Sequence, residues 1–173
     1  MRHLPRRSDR STMRAGFSLI EVTISSLLVG TLLVASTRSV GLSVLSQCKM
    51  ADFAKATWMA DALVGEMHQQ SYMEPATTIS PITKESGESG GSRANWDDFD
   101  DYDGLSESPP QNKDGTTLAN LTGWQRTVAV QWVTLNDINS ASVIETGVKK
   151  AVITVKLNGT TIITRFIIRT KGS

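Results

Sequence analysis

The densest chemistry in this chain lies in Trp96-Asp97-Asp98-Phe99-Asp100-Asp101-Tyr102-Asp103-Gly104, where five carboxylates are interleaved with three aromatic rings. Hard oxygens crowded in this way suit Ca²⁺, which takes about six to eight of them. The register excludes an EF-hand. With Gly104 as the sixth loop residue, Asp101 and Asp103 stand at ligating positions, but Phe99 falls at the first position and Pro110 at the twelfth. Two readings of Asp97, Asp98, Asp100, Asp101 and Asp103 stay open. One is a Ca²⁺ site of another kind. The other, simpler one is a solvated acidic loop that Trp96, Phe99 and Tyr102 anchor onto the protein. Paired carboxylates also raise glycoside hydrolysis, but an irregular loop offers no evident pocket to hold a sugar between them.

Little else in the chain could catalyse. His3 and His68 are its two histidines and Cys48 its one cysteine, which excludes an intrachain disulfide, a Cys-x-x-Cys redox pair and a multi-cysteine zinc site. There is no Gly-x-Ser-x-Gly nucleophile motif. The expectation is a protein that is not an enzyme and requires no cofactor, with Ca²⁺ as the single candidate. Eighteen Lys and Arg against seventeen Asp and Glu give a net charge of +1, so no nucleic-acid partner is inferred. The charge is unevenly placed: residues 1–16 carry five arginines against Asp9, and the chain beyond them is mildly acidic.

Behind that basic segment runs FSLIEVTISSLLVGTLLVA, residues 17–35, nineteen mostly apolar residues. As a helix this is about 28 Å long, close to the ~30 Å hydrocarbon core of a bilayer. The positive flank precedes the apolar run, which keeps residues 1–16 in the cytoplasm and sends the rest outward. One residue does not belong in lipid: Glu21. An unpaired carboxylate near the bilayer centre costs about 2.5–3.5 kcal/mol on insertion scales, so it calls for a partner.

The residues Gly16-Phe17-Ser18-Leu19-Ile20-Glu21, after a basic leader and before an apolar run, resemble the cleavage and methylation motif of type IV pilins and type II secretion pseudopilins. The resemblance implies a prepilin that a membrane-embedded prepilin peptidase cuts between Gly16 and Phe17 and methylates at the new Phe17 amine. It also implies an assembly role for Glu21, whose carboxylate would meet the N-terminal amine of a neighbouring subunit. Ala15 stands where a basic residue often precedes the glycine. Met13-Arg14-Ala15-Gly16 would make a short leader by itself, which leaves Met1 and Met13 both open as starts.

Beyond the apolar run, helical spacing continues. Leu45, Cys48, Ala56, Ala60, Leu63 and Met67 fall mostly at helical steps, while Lys49, Asp52, Lys55 and Glu66 are polar. This predicts one long helix over about 17–72, stopped before Pro75, with 17–38 as its membrane or filament-core part and 39–74 as an amphipathic continuation. Residues 75–123, with Pro75, Pro81, Pro109, Pro110 and a Gly/Ser stretch at 86–92, read as an irregular acidic connection. Residues 124–173 read as sheet. Trp124, Val128, Val130 and Trp132 alternate with polar residues, and Asn158-Gly159 marks a hairpin. A two-residue turn pairs Leu157 with Thr160, Val155 with Ile162, Ile153 with Thr164 and Ala151 with Phe166. The opposite face then carries Lys150, Thr154, Lys156, Arg165 and Arg169, with Ile163 and Ile167 as exceptions.

The predicted fold class is α+β: the outer half of the long helix on an antiparallel sheet of about three strands. This too resembles the pilin fold. The acidic loop, the Trp124 strand and Gly147-Val148-Lys149-Lys150-Ala151-Val152-Ile153-Thr154-Val155 are, more narrowly, similar to minor pilins of the mannose-sensitive haemagglutinin type. The expectation is a structural subunit of a type IV pilus or type II secretion pseudopilus, minor because a long acidic loop is a poor element to repeat along a fibre. Its expected place is the bacterial inner membrane, single-pass with the head outside the cytoplasm, and then the filament. The expected partners are other pilin-like subunits, the prepilin peptidase and an inner-membrane assembly platform. The alternative is a filament-tip binding module, adhesin or substrate-engaging, with a Ca²⁺-dependent acidic loop.

Overall fold

A computed structural model describes residues 16–75, 81–88 and 90–172. The leader up to residue 15 therefore lies outside the described residues. The fold class is α+β: one long N-terminal helix and a C-terminal antiparallel sheet of five strands. The chain divides into two compact units, residues 1–47 and 48–173.

Helix α1 runs from Leu19 to His68. It opens where the N–H groups of Glu21 and Val22 donate to the Ser18 carbonyl at 3.0 and 3.1 Å, which places Glu21 in the first turn, the end of a helix that favours negative charge. No proline interrupts it. The predicted end near Tyr72 is four residues too late. After His68 the turn tightens, Gln69 and Gln70 donating to the Glu66 and Met67 carbonyls three residues back. Ser71 is then captured by the acidic loop: its N–H donates to Asp97 O at 3.2 Å and its carbonyl accepts from Phe99 N–H at 3.0 Å. A tertiary bridge ends the helix before Pro75 has to.

In the first unit every described side chain is exposed, and α1 there is long and apolar enough to cross a membrane. Its hydroxyls turn inward on the helix itself. Thr23, Ser26, Thr31 and Thr37 donate to the carbonyls of Ile20, Val22, Leu28 and Leu33 at 2.8–3.1 Å. This is how a polar side chain is tolerated in a segment without water.

In the second unit the helix buries Ala56, Met59, Ala60, Leu63 and Met67, a stripe at steps of three, one, three and four residues. Leu45 and Cys48, which the sequence pattern assigns to the same stripe, are exposed. The stripe faces β2 (Trp124–Thr134), β4 (Val148–Leu157) and β5 (Thr160–Thr170), the three predicted strands. Two further strands complete the sheet: β1 (Ser106–Glu107) and β3 (Asp137–Ser142), both paired with β2. Neither announces itself in sequence. The first is two residues long before Pro109, and the second, Asp-Ile-Asn-Ser-Ala-Ser, has no apolar alternation.

The hairpin turns at Asn158 and Gly159, both with positive φ (49° and 81°), as a two-residue turn of this kind requires. Leu157 pairs with Thr160 as predicted. Between Val155 and Lys156 the register then slips by one, so Val155 meets Ile163, Ile153 meets Arg165 and Ala151 meets Ile167. One bulge inverts every later side chain. Ile163 and Ile167 therefore lie in the core, and Phe166 is exposed on the outer face beneath the Lys150 ammonium. Arg165 and Arg169 turn to the helix side, where Arg165 pairs with Asp61 at 3.6 Å and Arg169 donates to the Gln70 carbonyl at 2.9 Å. A second switch moves β2's inward residue from Trp132 to Val133, beside the irregularity where β3 pairs.

The connection is less irregular than predicted. Trp96, Phe99, Tyr102 and Leu121 belong to the core, and the chain there forms a 3-10 turn over Asp100–Tyr102 and a bridge between Gln111 and Thr117.

Candidate functional site

At the N-terminal end, Gly16, Phe17 and Ser18 precede the helix in exposed, non-helical chain. Phe17 is 82% exposed, open to an enzyme or a neighbour. Glu21 is exposed one turn further on, and among the described residues no cation pairs with it.

The five aspartates of the acidic loop do different work. Asp98 is a turn-former, its Oδ1 accepting the N–H groups of Asp100 and Asp101 at 2.6 and 3.1 Å. Asp100 is buried against the Lys149 ammonium, which reaches its Oδ2 at 2.5 Å and the Tyr72 carbonyl at 2.6 Å. Both side chains are fully buried, a neutral pair that ties the loop to β4. Asp103 accepts the Val130 N–H at 2.7 Å, beside the sheet. These three oxygens are committed to the protein itself. Asp98 and Asp100 are buried rather than solvated, and Asp103 is half-buried.

Asp97 and Asp101 remain, and they meet glutamates outside the predicted set. Glu88, Asp97 and Asp101 bring one carboxylate oxygen each to within 4.8 Å of one another, and Glu88 forms a second such group with Glu74 and Glu85. In sequence Glu85 and Glu88 sit at the edge of a Gly/Ser stretch that reads as flexible linker. Their spacing of three residues and the large Trp96 side chain nearby are the signals that could have found them. The Trp96 indole N–H donates to the Glu88 carbonyl at 2.9 Å, which folds the two segments together.

The crowding shows in the acidities. Burial, then neighbouring Asp100, pushes Asp98 up to about 7; burial, then Glu88, pushes both Asp101 and Glu85 up to about 7. In the unfolded chain these groups titrate at about 4. Between the two values the folded state holds protons that the unfolded state has released, so their contribution to stability is full below about 4 and is lost as pH rises through about 7. In metal-free buffer the melting temperature is therefore expected to fall from pH 5 to pH 8. A flat or rising profile would contradict the crowding.

A second polar cluster is largely buried. The Arg93 guanidinium takes Glu66 in a fork (3.0 and 3.2 Å) and also pairs with Glu107. Glu107 in turn takes Arg126 at 2.9 and 2.5 Å. Tyr102 adds its hydroxyl to Glu66 at 2.9 Å, and Arg126 reaches the Met59 carbonyl on α1 at 3.2 Å. Two cations and two anions thus bind helix, loop, β1 and β2 into one knot. Neither arginine signals this in sequence, although Arg126 has the parity of Trp124 and Val128 and so faces inward with them.

Compared with known proteins, the chain matches no family model, no curated sequence and no solved structure.

Proposed function

We propose that the chain is a structural, non-enzymatic subunit of a type IV pilus or type II secretion pseudopilus. It is made as a prepilin, cut between Gly16 and Phe17, methylated at Phe17 and assembled through α1. The observation that carries this reading is Glu21: a carboxylate in the first turn of an exposed, membrane-compatible helix, without a cation in its own chain among the described residues. Such a group needs a partner from outside. In this reading the partner is the Phe17 amine of the next subunit, generated there by the cut.

Before assembly the helix sits in the bacterial inner membrane with the head outside the cytoplasm. The prepilin peptidase, an assembly platform and other pilin-like subunits are its partners. We place it among minor subunits, since a surface bearing the exposed Asp97 and the half-buried Glu74 and Glu85 repels its own copy when stacked densely. The test is the mature N-terminus. Mass spectrometry of the full chain, recovered from a host with a prepilin peptidase, is expected to show a chain beginning at Phe17 with one added methyl group. A chain still carrying residues 1–16, or one cut after Ala35, would sink the proposal.

A further inference from the structure

The crowded carboxylates come from three separate segments: Glu74 lies beyond the end of α1, Glu85 and Glu88 lie in the connection, and Asp97 and Asp101 belong to the loop of the 3-10 turn. In each group of three the oxygens lie within 4.8 Å of one another. Oxygens no farther apart than this can share one Ca²⁺ ion, whose bonds are about 2.3–2.6 Å. Crowding alone is only repulsion. A second observation gives it a direction.

Asp101 is fully buried. Its Oδ2 accepts the N–H groups of Asp97 and Asp98 at 3.0 and 3.2 Å, whereas its Oδ1, also buried, has no hydrogen-bond partner among the described residues. Oδ1 is thus the oxygen left to the group that Asp101 forms with Glu88 and Asp97. A buried carboxylate oxygen without a donor is costly unless a proton or a cation meets it. Two nearby cations among the described residues are committed elsewhere. Arg93 is held by Glu66 and Glu107, and Lys149 by Asp100. Lys84 lies over the Trp96 ring, 4.0 Å from its centroid; its charge acts on Asp101 and Glu88 but closes to no ion pair with them among the described residues.

We propose that Glu88, Asp97 and Asp101 bind a Ca²⁺ ion, with Glu74 and Glu85 beside them across the shared Glu88. Ca²⁺ fits better than Mg²⁺ because the ligands are many, anionic and supplied by irregular chain, where Mg²⁺ demands near-octahedral geometry and retains its waters. Asp97 is exposed and gives the ion its entry from solvent. Asp98, Asp100 and Asp103 stand outside this set, one oxygen of each already serving backbone N–H groups or Lys149. The ion cross-links the 81–88 segment and the loop before β1. This inference does not depend on the filament reading.

The test uses the full chain in detergent, stripped with a chelator, with CaCl₂ as the probe and the melting temperature measured against its concentration. Saturable stabilisation is expected, at least about 3 °C, with a midpoint at or below about 1 mM. Asp97→Asn, on an exposed side chain, is expected to fold and to shift the midpoint at least about tenfold upward; Asp101→Asn is expected to do the same. Asp103→Asn is expected to leave the midpoint unchanged. No stabilisation by millimolar Ca²⁺, or a midpoint that Asp97→Asn does not move, overturns the site. A shift by Asp103→Asn as large as that by Asp97→Asn overturns the choice of ligands.

Discussion

Glu21→Ala is expected to leave cutting after Gly16 intact and to lower incorporation into sheared filaments at least about tenfold. Two effects act in the same direction. On the proposed reading, removing the carboxylate relieves the lipid-embedded precursor of part of the about 2.5–3.5 kcal/mol that such a charge costs at a helix centre, since Glu21 stands in the first turn. The assembled state loses a charge pair in a low-dielectric setting, and each 1.4 kcal/mol lost there is about tenfold in the equilibrium. Glu21→Gln separates charge from shape, because it keeps the size and a hydrogen-bonding oxygen but cannot pair with an ammonium. It is expected to behave like Glu21→Ala. Blotting of sheared filaments and of membranes reads both variants. Incorporation at the unmodified level in Glu21→Ala would remove the assembly role, while loss of cleavage would assign the residue to the peptidase instead.

The largest loss of stability is expected from Glu107→Ala, about 3–5 kcal/mol. Glu107 is the carboxylate between two guanidiniums whose side chains are 4% and 2% exposed. Burial, and then the proximity of Arg93, already brings Arg126 down to about 10. Without Glu107 the two cations share Glu66 and the Gln111 carbonyl, to which Arg93 donates at 3.2 Å and Arg126 at 2.5 Å. Glu107→Gln, which keeps an acceptor, is expected to fall in between. Chemical denaturation checks the series. A loss below about 1 kcal/mol for Glu107→Ala would mean that Glu66 and the carbonyl suffice. By contrast Asp61→Ala, which breaks the exposed pair with Arg165, is expected to cost less than about 1 kcal/mol.

Local periodicity makes much of this fold legible in the sequence. The long helix, the three long strands and the Asn158-Gly159 turn are written in spacing alone. Features decided by long-range competition are not legible. The helix ends at His68 because Ser71 pairs with Asp98, in a loop distant along the chain, which no local rule contains. The hairpin turn reads correctly, yet the faces beyond it do not, because one bulge after Val155 exchanges Phe166 for Ile167. The apparent exceptions Ile163 and Ile167 are the clue: two apolar residues on a supposed polar face signal a slipped register. The acidic loop is visible as chemistry, but its five aspartates look alike in sequence. Only their partners, backbone N–H groups for Asp98 and Asp103 and an ammonium for Asp100, separate structural acids from Asp97 and Asp101.

The hydroxyls along the first unit's helix bear on the change of surroundings that the proposed assembly requires. Thr23, Ser26, Thr31 and Thr37 already spend their protons on carbonyls of the same helix. Transfer from acyl chains to a sheath of protein asks no new donor or acceptor of them. On the proposed reading the helix is a self-contained rod, indifferent to which apolar medium encloses it, and Glu21 is the residue whose surroundings change. A subunit built this way can wait in one solvent and serve in another, with a single residue distinguishing the two.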